Sequence, residues 1–231
     1  MRLRGCNWHS YGIYPCMKKI ISIFSIIAFT ISAYGQGLKP VKIDSLVTVS
    51  LPKDAQVTDS AGQKIFSGNG AMGYMIVIRT ANHNKPLEKE KDLNKVFKDY
   101  MTQVQGQSNG SILDSRDTTV GNLKAKVFGL ETRNNEGVEL RNFTIIYTKE
   151  ALYTFEYVYP EARKELVKDE TKAFFSSISV SPELKRDDQY VKASSSAASP
   201  LGNIALFGGG GVVLLLIGYF IYRKKTEAAI S

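Results

Sequence analysis

An uncharged run of 19 residues near the C-terminus, Ile204 to Tyr222, most strongly limits how this chain can fold. A helix rises about 1.5 Å per residue, so a run of this length matches the hydrocarbon thickness of a bilayer. Arg223, Lys224 and Lys225 follow it directly, and basic residues favour the cytoplasmic side of a membrane. The pattern predicts a transmembrane helix over 204–222, with a cytoplasmic tail over 223–231.

The N-terminal region contains an apolar segment of a different kind. Lys18 and Lys19 precede a mainly apolar run of 12 residues from Ile20 to Ile31, and the small residues Ala33 and Gly35 follow within four positions. This order is typical of a secretory signal peptide, because a bilayer span needs about 20 apolar residues. We therefore predict a signal peptide over residues 17–35.

The first 16 residues fit neither a signal peptide nor a core element. Translation that begins at Met17 is the favoured interpretation, since a Lys-Lys pair follows this methionine directly. Both cysteines, Cys6 and Cys16, lie in this upstream stretch of residues 1–16, so the predicted exported part contains none. Disulfides, thiol catalysis and cysteine-zinc sites are thereby excluded from that part.

The formal net charge of +8 comes mostly from the two ends of the chain. Residues 36–200 hold 23 Lys and Arg against 21 Asp and Glu, a difference of +2. No basic cluster in this region alternates with aromatic residues, as a nucleic-acid-binding stripe would. We therefore predict no nucleic-acid partner, and the basic residues at both ends act as topology signals.

The composition changes again before the predicted anchor. From residue 182 to 203 the chain is polar and then rich in small residues, with the run Ala193-Ser-Ser-Ser-Ala-Ala-Ser. Such a composition is typical of a flexible linker. The predicted folded domain is therefore residues 39–181.

The hydrophobic period inside this domain changes between strand and helix. Short segments rich in apolar and β-branched residues, separated by turn residues, predict seven strands. They are Val47 to Leu51, Ile65 to Ser67, Tyr74 to Thr80, Ser111 to Thr118, Asn122 to Thr132, Val138 to Thr148 and Leu152 to Tyr159. Helical spacing predicts an amphipathic helix from Leu93 to Val104. A second helix is predicted to begin at Pro160, with Leu166 and Phe174 on its apolar face. This order predicts an α+β fold, an antiparallel β-sheet with helices packed on it.

Four aromatic residues occur at every second position: Tyr153, Phe155, Tyr157 and Tyr159. In a strand they share one face of the sheet. If this strip of aromatic residues is exposed, it could bind a glycan or a peptide. Tyr153, Tyr157 and Tyr159 are therefore the candidate binding face. We favour a core strip, because the two amphipathic helices need an apolar surface to cover. Glu156 is on the opposite face and, if buried, should pair with a nearby cation.

Gly68 to Gly73 matches the G-x-G-x-x-G fingerprint of dinucleotide-binding proteins. Its mechanism requires a following helix, whereas a β-rich run follows here, so we predict a hairpin turn. After the signal peptide, His83 is the single histidine of the sequence, which excludes a zinc site built from several histidines or cysteines. We predict no cofactor and no metal site.

A catalytic alternative relies on carboxylates. Glu156 together with Asp114 or Asp117 could supply the general acid and base of a periplasmic hydrolase. Such chemistry needs two groups that converge in a pocket with separated pKa values. We keep this as an alternative and otherwise predict no catalytic residue.

Four parts of the domain follow one another in a recognisable order. They are a strand that ends in Val49-Ser-Leu-Pro52, a mid-domain helix, a meander through Ala151-Leu-Tyr-Thr-Phe-Glu-Tyr, and a final helix that ends in Ala173-Phe-Phe-Ser-Ser-Ile178. Together they resemble the PsbP/DcrB-like superfamily over about residues 44–181. The resemblance implies an α/β/α sandwich without catalytic machinery, used for binding or assembly, as in extrinsic photosystem subunits and bacterial envelope proteins.

These observations lead to one expected function and a further alternative. We expect a non-catalytic module in the periplasm, anchored in the bacterial inner membrane by a single C-terminal helix, which binds or helps assemble another envelope protein. The alternative is that Gly202 to Lys225 form a sorting signal that is cut during surface display, since glycines, an apolar helix and a basic tail occur there in that order.

Overall fold

The computed structural model describes residues 37–135 and 137–191 of the chain. The predicted upstream stretch, signal peptide, transmembrane helix and cytoplasmic tail lie outside these residues. Within the described ranges, no helix is both long enough and apolar enough to cross a membrane.

The described residues contain ten strands and two α-helices. The strands are β1 (Lys39–Lys42), β2 (Val47–Leu51), β3 (Gln56–Ser60), β4 (Gln63–Asn69), β5 (Tyr74–Ala81), β6 (Ser111–Val120), β7 (Leu123–Asn134), β8 (Gly137–Tyr147), β9 (Ala151–Pro160) and β10 (Ser179–Val180). The helices are α1 (Glu90–Ser108) and α2 (Lys168–Ser176). Two short 3-10 helices, Glu161–Arg163 and Arg186–Asp188, lie between β9 and α2 and after β10.

Seven strands form the main sheet, in the order β3-β4-β5-β9-β8-β7-β6. Every neighbouring pair is antiparallel, and β6 to β9 form the predicted meander. A smaller sheet has the order β1-β2-β10. The predicted α+β class with an antiparallel sheet is confirmed.

A different layer covers each face of the main sheet. On one face, α1 packs Leu93 and Phe97 into a cluster with Phe143 of β8. On the other face, Val49 of β2 and Phe174 of α2 belong to a cluster with the aromatic side of β9. Burial of each of these side chains contributes about 1.5–3 kcal/mol. The layers are therefore a helix, the main sheet, and a layer shared by α2 and the small sheet.

The second helix begins later than the sequence predicted. Pro160 is the last residue of β9, and α2 begins only at Lys168. In between, the N–H of Lys164 donates to the Glu161 carbonyl at 2.9 Å, so the chain forms a tight turn of 3-10 type. Leu166 lies in this segment and is 64% exposed, so its predicted place on the apolar face was wrong.

The folded part also continues past the predicted boundary at Ser181. Gln189 is fully buried: its side chain accepts from the Lys124 N–H at 2.8 Å and donates to the carbonyls of Lys124 and Tyr147. The N–H of Val191 donates to the Leu87 carbonyl at 2.8 Å. Residues 182–191, predicted as flexible linker, are thus packed against the domain.

Candidate functional site

The aromatic side of β9 lies in the core. Tyr153, Phe155 and Tyr157 have no exposed surface, and Tyr159 is 7% exposed. The ring of Tyr157 lies 6.2 Å from that of Phe174 on α2, centroid to centroid. Because α2 and the small sheet cover these rings, they cannot form the open binding face considered above. They form the core that the sequence favoured.

The hydroxyl of Tyr153 binds the carboxylate of Asp44, which links β2 to the main sheet. It donates to Asp44 Oδ2 at 2.6 Å, and Arg79 Nε donates to the same oxygen at 2.7 Å. The N–H groups of Leu46 and Val47 donate to Asp44 Oδ1, each at 2.9 Å. Burial raises the pKa of Asp44, but these hydrogen bonds outweigh burial and hold the pKa below its ordinary value. Asp44 thus ties β2 to the main sheet.

The hydroxyl of Tyr157 binds a second carboxylate, that of Glu170 on α2. It donates to Glu170 Oε2 at 2.7 Å. Glu170 also accepts the N–H groups of Ala71 and Met72, at 2.7 and 2.9 Å. These amides belong to the G-x-G-x-x-G loop between β4 and β5, which forms the predicted hairpin turn. A Cβ atom on Gly70 would clash with Glu170 Oε1. The loop amides that could cradle a phosphate therefore hold a carboxylate of the chain itself.

The opposite side of β9 contains a buried ion pair. Glu156 is 1% exposed, and its carboxylate accepts from the guanidinium of Arg141 on β8. The predicted pairing of Glu156 with a cation is confirmed. Burial lowers the pKa of Arg141, but the charges of Glu156 and Glu139 outweigh burial and raise that pKa. The guanidinium also lies over the ring of Phe143, 5.6 Å from its centroid.

The structure does not bring the carboxylates of the hydrolase alternative together. Glu156 pairs in register with Phe143, then Phe128, then Ser115, so β9 and β6 are three strands apart. At about 4.8 Å per strand, this separates Glu156 from β6 by about 14 Å. Asp114 and Asp117 lie on β6 and are exposed. The acid and base pair predicted from the sequence therefore does not form.

A groove between α1 and the β6 edge of the main sheet is a concave feature of the described residues that the sequence did not indicate. Its volume is about 320 Å³. The lining includes Phe97, Lys98 and Met101 of α1, together with Asp117 of β6 and Lys126 of β7. Its position depends on how α1 lies over β6 and β7, which no local pattern reveals.

Two lysines of β7 hold the acidic side chain of this groove. Lys126 Nζ lies 3.0 Å from Asp117 Oδ1, and Lys124 Nζ lies 3.3 Å from Asp117 Oδ2. Lys124 also pairs with Glu90 at the start of α1, at 2.9 Å. Both hydrogen bonds lower the pKa of Asp117, and the one that Lys126 donates has the larger effect. The groove thus combines an apolar floor with a charged rim.

Comparison with solved structures finds other proteins that are partly similar to this chain. The solution structure of cyanobacterial PsbP (CyanoP) from Synechocystis sp. PCC 6803 is 18% identical, with a TM-score of 0.47 over 64% of this chain and 96% of that one. LpqN of Mycobacterium tuberculosis, involved in cell envelope biogenesis, is 11% identical, with a TM-score of 0.43 over 63% and 91%. A Bacteroides thetaiotaomicron VPI-5482 protein is 12% identical, with a TM-score of 0.38 over 64% and 50%.

No protein-family model and no curated protein sequence match the chain. At such identities the likeness concerns the path of the chain and not its function.

Proposed function

We propose that the chain is a non-catalytic binding or assembly module of the bacterial envelope, held at the periplasmic side of the inner membrane by residues 204–222. A leader-like segment before the domain and an apolar run with a basic end after it support this location. The partner is another envelope protein.

The use of three carboxylates inside the fold, where they bind groups of the chain itself, is the observation that supports a non-catalytic role. Asp44, Glu156 and Glu170 each accept hydrogen bonds from side chains or amides of the same chain. A general acid or base needs a carboxylate within reach of a substrate. Carboxylates used in this way stabilise the fold, and the groove and the strand edges supply the surface for a partner.

Crosslinking in cells tests the binding role. The full-length protein should enrich a defined envelope protein, and a version that lacks Ile204 to Ser231 should capture it in lower yield. The absence of a reproducible partner from both forms would contradict the proposal.

Cysteine labelling tests the location separately. Residues 17–231 contain no cysteine, so single cysteines can be introduced after Cys6 and Cys16 are changed to serine. A membrane-impermeant maleimide should label Lys53→Cys, at an exposed position of the domain, in spheroplasts. The matched variant Ala229→Cys, in the predicted cytoplasmic tail, should react only after the membrane is permeabilised. Labelling of both positions, or of neither, in intact spheroplasts would contradict the topology.

A further inference from the structure

Strand β6 is one open edge of the main sheet, and among the described residues it pairs only with β7. The pairing shifts register between Ile112 and Ser115, but it is regular from Ser115 to Val120. A regular edge strand presents a row of unpaired N–H and C=O groups that can accept another strand.

The turn after β6 determines which of its amides point outward. Two residues, Gly121 and Asn122, join Val120 to Leu123, and Gly121 has φ +56°. Such a two-residue hairpin makes Val120 and Leu123 a hydrogen-bonded pair. Because hydrogen-bonded and non-hydrogen-bonded pairs alternate, the main-chain polar groups of three β6 residues point away from β7. These residues are Ser115, Asp117 and Thr119.

The same three residues share the face of the sheet that α1 covers, as their register partners Phe128, Lys126 and Lys124 show. An eighth strand beside β6 would therefore place every second side chain next to the groove. Met101, which is half-buried, offers an apolar contact there. Alternate side chains of an added strand give specificity in this mode of recognition, while its main chain gives affinity.

The charge around the groove favours an acidic strand. Asp117 is already paired with Lys124 and Lys126, and Glu90 is paired with Lys124. Lys98 lines the groove, and none of the carboxylates in the described ranges forms an ion pair with it. With three lysines against two carboxylates, the rim has a net positive charge.

We propose that β6 binds an extended peptide segment as an eighth strand, with an apolar side chain of the peptide in the groove and an acidic side chain beside Lys98. This proposal rests on the binding role proposed above and deepens it, because it names the surface and the chemistry of the partner segment.

The test selects peptides against the full chain in detergent from a displayed library of random seven-residue sequences. The expected winners are rich in β-branched and aromatic residues and contain Asp or Glu. A synthetic peptide with the winning sequence is then used as the probe, and a copy with Lys in place of its acidic residues is the control. We expect the Lys copy to bind at least about tenfold more weakly.

Amide hydrogen exchange of the full chain locates the bound peptide. Saturating peptide should slow exchange of the Ser115, Asp117 and Thr119 amides by at least about tenfold, because strand addition pairs them. The amides of β3, the other sheet edge, should exchange as before. Protection at β3 alone, or at neither edge, would overturn the proposal.

Two variants and one control variant test the binding surface. Lys98→Glu should weaken the acidic peptide about tenfold, whereas Lys172→Glu, the same change at an exposed position of α2, should leave its affinity unchanged. Thr119→Pro removes one outward N–H and should reduce affinity for both peptides. Equal effects of Lys98→Glu and Lys172→Glu would overturn the predicted position of the acidic side chain.

The remaining outcomes are also decisive. Failure to select any peptide would overturn the proposal. So would slower exchange of the β6 amides that depends on protein concentration in the absence of peptide, because a second copy of the chain would then occupy the edge. If peptide selection fails while in-cell crosslinking still captures a partner, the binding role stands and the surface is elsewhere. If peptides bind but no partner is captured in cells, the binding role itself fails.

Discussion

The central strand β9 and the edge strand β6 each have ten residues, yet they use their polar groups in opposite ways. On β9 every residue except Pro160 is buried, and its tyrosine hydroxyls and its carboxylate bind partners from other elements. On β6 most residues are exposed, and half of the main-chain groups of its regular part point away from the sheet. The side chains that look most reactive in the sequence stabilise the fold, whereas the less conspicuous strand leaves surface free for a partner.

The buried ion pair of β9 should give the largest effect. Glu156→Leu leaves the Arg141 guanidinium buried without its partner, so we expect the free energy of unfolding to fall by about 3–5 kcal/mol. Urea unfolding of the full chain measures the change.

The double variant Glu156→Leu with Arg141→Met is the control, because it removes both charges and should recover most of the loss. A single variant that loses less than about 1 kcal/mol would show that the centre of the sheet does not depend on this pair.

Asp44→Asn should give the next largest effect, a loss of about 1.5–3 kcal/mol near pH 7, because hydrogen bonds to a charged acceptor are lost. The pKa of Asp44 is lowered in the folded state, so the unfolded chain binds this proton more readily. The stability that Asp44 contributes is therefore fully present above the ordinary pKa of an aspartate, near 4. It is lost as the pH falls through the lowered pKa of Asp44 in the folded state.

Unfolding measured between pH 7 and pH 2 tests this sign. The difference between wild type and Asp44→Asn should shrink as the pH falls through that acidic range. A difference that grows at low pH would contradict the role of Asp44.

Glu170→Ala should cost about 1–2 kcal/mol, because the Tyr157 hydroxyl loses its acceptor while the two loop amides regain water. Glu165→Ala is the matched control on the exposed surface, and loss of its pair with Lys168 should not change stability measurably. Thermal unfolding of both variants checks the difference. Equal losses would mean that the glycine loop gains nothing from Glu170.

A proline substitution in the edge strand β6 should give the smallest of these losses of stability. Thr119→Pro removes an N–H that points away from β7, so we expect a change of less than about 1 kcal/mol. Thr154→Pro on the central strand β9 removes a ladder hydrogen bond and leaves a buried carbonyl without its donor, so it should cost about 1–3 kcal/mol. Circular dichroism during denaturation compares them, and similar losses would remove the distinction between centre and edge.

The sequence predicted the elements with strong local patterns and missed those that depend on distant contacts. The aromatic residues at every second position of β9 and the helical spacing of apolar residues in α1 were sufficient, because each pattern is local and shows which side chains share a face. β3 is mostly exposed and polar, so it has no alternating pattern. Gln189 resembles linker residues in composition, and only its hydrogen bonds to Lys124 and Tyr147 make residues 182–191 part of the fold.

The candidate sites show the same limit. The alternating pattern of β9 indicates that Glu156, if buried, needs a cation. Arg141 could be identified as that cation only from the register of β8 and β9. Tyr153 meets Asp44 across 109 residues of sequence, and no spacing indicates that contact. The groove is formed by side chains of α1, β6 and β7, so it exists only once those elements are packed.

Residue-resolved amide exchange of the free, full-length protein tests the contrast between centre and edge most directly. The amides of Ser115, Asp117 and Thr119 should exchange at least about 100-fold faster than those of Arg116 and Thr118, which bond to β7, and the amides of β9 should be among the slowest. Equal protection of all five β6 amides would mean that the edge is already occupied and would contradict the free surface on which the proposed binding depends.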